Sequence, residues 1–201
     1  MRITTILLLF VTALISACTT VAPNKQQVAA MEPIRLVSQV TLPPKALYLG
    51  GASNFRDKGW LGAAIAMADR PTDVVLTEFL SAKKIDVSEI VFEQISAKMK
   101  KTAFGPKLSD VGRNEMKVTI AEYGLGKGWG FGDNMKPHIS IKLIMTDAQG
   151  VVTFSKNELV SGITGELPAR VFERWLEEPE ALRAAYVAAA KILADRLLEG
   201  Y

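Results

Sequence analysis

The feature that most constrains this chain is its first eighteen residues. MRITTILLLFVTALISA opens with one basic residue, Arg2, and runs apolar from Ile6 to Ile15. It then passes through the small pair Ser16 and Ala17 to the only cysteine, Cys18. A largely apolar run of ten residues is too short for a bilayer core of about 30 Å, so the segment reads as a secretory signal peptide. Exported domains often lean on disulfides, but one cysteine allows none within the chain, so the fold must rest on a buried apolar core. Composition can supply it: 49% of the 201 residues are hydrophobic and 22% are charged, the balance of an ordinary globular unit.

Leu14-Ile15-Ser16-Ala17-Cys18 resembles the bacterial lipobox. That resemblance implies cleavage between Ala17 and Cys18, a diacylglycerol on the Cys18 sulfur, and acylation of the new amine. Each buried methylene contributes about 0.8 kcal/mol, so two or three acyl chains would anchor the protein to its membrane durably. The sole thiol would then be consumed. In the sorting rule of this class, Asp after the cysteine retains a lipoprotein at the inner membrane. Thr19 stands there, which implies the outer membrane, facing the periplasm, if the source is Gram-negative.

Residues 1–17 are therefore expected to be a signal, 18–33 a lipidated cysteine with a flexible tether, and 34–201 a single domain. Thr19 to Pro33 lacks a sustained apolar period and carries two prolines; a flexible stretch of that length reaches about 20–25 Å. Short strands are expected over Ile34 to Val40 and Lys45 to Leu49, and a buried helical turn over Leu61 to Ala68. Pro71 suits a first helical position ahead of the stripe Val74, Val75, Phe79 and Leu80. Asp86 and Glu89 have capping-box spacing before Ile90, Val91, Ile95 and Met99. Lys98, Lys100 and Lys101 sit at that helix's carboxyl end, where positive charge suits the dipole.

Alternation then takes over. Met116, Val118 and Ile120 recur at period two, as do Ile139, Ile141, Leu143 and Met145, and Asp147 to Gly150 reads as a turn before Val151 to Lys156. Two helices close the chain. Pro168 is expected to start one, and Pro179 the other, whose stripe is Leu182, Tyr186, Ala189, Leu193 and Leu197. The sum is a two-layer α+β fold, an antiparallel meander covered by helices. HISIKLIMTDAQGVVTFSK followed by EPEALRAAYVAAAKILADRLLEG resembles a pattern in small proteobacterial envelope lipoproteins, with Phe154 where that pattern often has Trp. The layout is also loosely similar to the amino-terminal domains of TolB-type envelope proteins, which implies an α+β binding module.

No catalytic set is visible. His138, the one histidine, shares the polar face of its strand with Ser140 and Lys142, and no Gly-x-Ser-x-Gly elbow is present. One cysteine and one histidine exclude multi-ligand zinc sites, and no EF-hand spacing appears. No cofactor is expected. A formal charge of +3 is too small for an electrostatic grip on nucleic acid. The unusual stretch is GLGKGWGFG, residues 124–132, which fails both the Walker A and the Gly-x-Gly-x-x-Gly patterns, so no nucleotide is expected. If extended, it sets Leu125, Lys127, Trp129 and Phe131 on one side of a bare ribbon. These, with Trp60 between two glycines, are candidate contact residues for an envelope protein partner or a membrane interface. The alternative is a hairpin whose aromatics fold onto the core while its glycines relieve strain. The reading is thus a non-catalytic, membrane-anchored binding or assembly module. The alternatives are a carrier or sensor of an apolar ligand and, behind it, a hydrolase using carboxylates.

Overall fold

The computed structural model describes residues 22–50, 71–128 and 133–201. The helical turn expected at Leu61 to Ala68 lies outside them. The described chain is α+β, with helices packed on one face of a mixed sheet. Strand β3 (Asn114–Lys127) pairs antiparallel with β4 (Met135–Thr146), and β4 with β5 (Val152–Val160), as the alternation predicts. The other edge of β3 departs from a pure meander. The short strands β1 (Ile34–Leu36) and β2 (Leu47–Leu49) both join it in parallel, β1 at Asn114 and β2 at Gly124.

One expectation is corrected at the start of the domain. The stretch expected to be a tether contains a helix, α1 (Lys25–Ala30), closed by a reciprocal capping box. The Asn24 side chain accepts from the Gln27 amide at 2.9 Å, while the Asn24 amide donates to Gln27 Oε1 at 2.8 Å. Val28 is fully buried, which fixes this short helix to the core. The Asn114 side chain also donates to the Glu32 carbonyl. Among the described residues, the first helix therefore starts from the Asn24 cap.

Helices α2 (Thr72–Ala82) and α3 (Val87–Met99) fall where expected. Asp86 caps α3, its carboxylate accepting from the amides of Ser88 and Glu89 and from the Ser88 hydroxyl. Pro168 starts no helix. Arg170 instead pairs with Met135 as an isolated antiparallel bridge, and α4 (Phe172–Glu177) begins beyond it. Helix α5 (Pro179–Leu197) buries its whole predicted stripe, from Leu182 to Leu197, against β4, β5 and α3. Each fully buried leucine there contributes about 1.5–3 kcal/mol. Phe104, Phe154 and Tyr201 form a ring cluster at the end of the core nearest the start of β3.

Candidate functional site

The glycine-rich half of β3 is shaped by one irregularity. Ile120 faces Ile141, but Glu122 faces Ser140, so Ala121 is an extra residue and the strand's alternation reverses there. Before it, Met116, Val118 and Ile120 point into the core; after it, Tyr123 and Leu125 do. Leu125 is fully buried. The candidate contact surface therefore loses Leu125, because the bulge hands the odd-numbered side chains to the helix-covered face. Ala17, Cys18, Trp60, Trp129 and Phe131 lie outside the described residues.

Reversal puts Glu122, Gly124 and Gly126 on the opposite face, beside His138 of β4. There the glycines admit neighbouring backbone. A Cβ on Gly124, whose φ is +150°, would lie 1.9 Å from the Leu47 carbonyl oxygen, so β2 can pass only over a glycine. After β5 the chain folds back over this face. A Cβ on Gly162 would lie 1.8 Å from the Lys127 carbonyl oxygen, and one on Gly126 would touch both Gly162 and His138. The returning turn is closed by the Thr164 amide on the Ser161 carbonyl and by the Ser161 amide on Thr164 Oγ1. Lys136 ties it down by donating to the Thr164 carbonyl at 2.7 Å.

His138 lies under this turn and is only 5% exposed, where the sequence suggests a strand-edge polar residue. Its Nε2 stands 3.0 Å from Glu122 Oε2, and its Nδ1 is buried with no partner. A carboxylate only accepts, so Nε2 is the donor in this bond. Beneath the sheet, Tyr186 is fully buried and donates to the Gly124 carbonyl at 2.9 Å, and Trp175 Nε1 donates to the Met135 carbonyl. Burial, with the charge of nearby Tyr123, pushes the Tyr186 hydroxyl's ionisation well above the ordinary tyrosine range. The first bond anchors the glycine-rich strand to α5, and the second anchors the start of β4 to α4.

Grooves accompany the helices, among them two at helix ends. One of about 720 Å³ separates the end of α3 from α5, with Lys98, Lys101, Lys191, Glu166 and Asp195 on its walls, and Lys98 and Asp195 pair across it at 2.7 Å. The other, about 520 Å³, lies by the Asp86 cap and Tyr123. The Ser88 hydroxyl holds the Asp86 carboxyl below the usual range, and burial with the charge of Asp86 pushes Tyr123 up. Both grooves are rimmed by charge. The core itself is filled by Trp175, Tyr186, Phe104 and Phe154. Among the described residues, no cluster of three or more His, Cys, Asp or Glu could hold a metal ion, and no helix is long and apolar enough to cross a membrane.

No protein-family model matches this sequence, and no curated protein does. Among solved structures, the chain is similar to protein XCC0632 from Xanthomonas campestris, of the family DUF330. The identity is 9%, covering 55% of this chain and 58% of that one, with a TM-score of 0.37. It is also similar to a dodecameric PelC variant from Paraburkholderia phytofirmans. There the identity is 10%, covering 90% of this chain and 93% of that one, with a TM-score of 0.35. Both neighbours are bacterial. At these scores neither likeness bears on what this chain does.

Proposed function

We propose that this chain is a lipid-anchored, non-catalytic binding or assembly module of the bacterial envelope, held to the outer membrane through Cys18. The observation that carries the reading is the polarity of the domain. The lipobox ends six residues before the capped start of α1, and α1 leads into β1 beside the first residues of β3. From there β3 runs fourteen residues to Lys127, about 43 Å at the usual rise per strand residue. The strands flanking residues 129–132 thus meet at the end of the sheet remote from the anchor, joined by the Gly128 amide on the Asn134 carbonyl. A domain so attached turns the ends of β3 and β4 toward a partner at a local concentration raised by the anchor, and Trp129 and Phe131, between these strands in sequence, are the candidate contacts. Trp60 is the further candidate contact.

In-cell cross-linking with mass-spectrometric identification tests this. One dominant envelope protein should be captured by the wild type, and its recovery should fall about tenfold in the W129A/F131A double variant, a loss near 1.4 kcal/mol. Unchanged recovery overturns the contact assignment. The apolar-carrier reading needs a cavity between sheet and helices, and aromatic side chains fill that space in the described core. The carboxylate-hydrolase reading gains no support from the described grooves, where Asp86 caps a helix and Asp195 pairs with Lys98.

A further inference from the structure

Because α1 is part of the domain and its cap is Asn24, at most six residues separate Cys18 from it. Six residues span at most about 20–22 Å in any conformation. That is short beside a domain whose longest strand alone runs about 43 Å. The end of the sheet that carries α1 must therefore stay close to the bilayer that holds the lipid.

That end has a distinct surface. The loop of residues 108–113 is clipped onto the junction of α1 and β1. The Ser109 amide donates to the Ile34 carbonyl and the Asn114 amide to the Pro33 carbonyl. Gly112 lies so close that a Cβ there would stand 2.5 Å from the Arg35 nitrogen. At the loop's apex Val111 is 89% exposed, the most exposed of the large hydrophobic side chains described. Arg113 follows it and Lys107 precedes the loop. The β4–β5 turn reaches the same end, since Thr146 is in register with Val152 and Glu115, and its Val151 is 59% exposed. Asp110, Glu32 and Glu115 are the acidic neighbours; Glu115 is paired with Arg35 and Lys117, and the Asp147 carboxylate is taken up by the Gln149 and Val151 amides.

We propose that this end of the domain is a membrane-docking face. Val111 inserts at the lipid interface, Val151 lies beside it, and Lys107 and Arg113 reach the lipid phosphates. The inference rests on the lipid-anchored reading. It adds to that reading an orientation, with the glycine-rich end directed away from the bilayer. An exposed valine between basic residues is costly in water and suited to the headgroup boundary, where an apolar tip is buried and cationic ends stay wet.

The test uses the full lipidated chain, reconstituted in vesicles of phosphatidylethanolamine and phosphatidylglycerol. Acylation consumes Cys18, so V111C and K127C each offer one thiol for an environment-sensitive dye. Both positions are exposed, so neither change disturbs the core. Lipid mass on Cys18 is read first. The V111C dye should then be quenched by headgroup-labelled lipid about twofold or more over the K127C dye, with its emission shifted to the blue. Equal quenching at both positions, on a chain carrying the lipid, overturns the docking face and leaves the anchor standing. A chain without lipid on Cys18 that stays off the vesicles overturns the anchored reading and this inference with it.

Discussion

Replacing Tyr186 with Phe isolates one hydroxyl that ties α5 to the glycine-rich strand. The side chain is fully buried and its hydroxyl donates to the Gly124 carbonyl at 2.9 Å, at the residue where β2 passes over β3. Y186F keeps the ring and removes the donor, so it should cost about 1–2 kcal/mol at neutral pH. In a domain of this size that lowers Tm by about 2–8 °C. The pH dependence carries a second signature. Burial raises the folded-state pKa of Tyr186 above its unfolded value near 10. Its contribution is therefore fully present below about pH 10 and is lost as pH rises, because only the unfolded chain then releases the proton. Tyr186 alone adds a slope approaching about 1.4 kcal/mol per pH unit, and Y186F lacks that part while keeping what Tyr123 and Tyr201 contribute. Urea melts at intervals between pH 7 and 11.5 should show the wild type's advantage shrinking above about pH 10 and vanishing within one to two units. Parallel curves across that range would refute the burial argument. Equal stability at neutral pH would refute the bond.

Three further outcomes follow from local geometry. G162A sets a methyl against the Lys127 carbonyl, so the turn over His138 must lift; a loss of about 1–3 kcal/mol, with faster amide exchange at residues 161–164, is expected. V28A should destabilise the whole domain by about 2 kcal/mol, because α1 is part of its core; an unchanged melt would return residues 24–30 to the tether. D86A removes the cap of α3 and should cost about 1 kcal/mol at pH 7. Since hydrogen bonding to Ser88 depresses the Asp86 pKa, that contribution is present above the unfolded value near 4. The difference between wild type and D86A should then close as pH falls below it.

The parts of this fold that could be read from sequence are those where a period runs long enough to count. Helix α5 repeats its apolar stripe from Leu182 to Leu197, and β4 alternates from Ile139 to Met145. The Asp86 cap is a local rule and forms where its spacing places it. Strands β1 and β2 are three residues each, too short to carry a period, and their parallel pairing with β3 is a tertiary choice. Helix α1 buries a single residue, so no stripe exists to find. Its Asn24–Gln27 capping box was the available signal. The bulge at Ala121 leaves no compositional mark, yet it decides that Leu125 is core, and the cover of His138 comes from the turn after β5, far away in sequence.

The glycines at 124 and 126 illustrate the same limit at the candidate site. Their run suggests a bare ribbon for a partner, whereas two of its glycines meet Leu47, Gly162 and His138 from the same chain. Which backbone crosses a glycine depends on topology, and topology depends on the far ends of the sequence. The membrane-facing end was equally hidden, because Val111 is an ordinary valine until loop 108–113 is seen resting on the α1–β1 junction.

The anchored reading is tested most directly by the mass of the amino-terminal peptide of the protein made in its own cells. The account predicts a mature chain beginning at Cys18, with a thioether-linked diacylglycerol on its sulfur. A free thiol at Cys18, or a chain still carrying Met1 to Ala17, would contradict it.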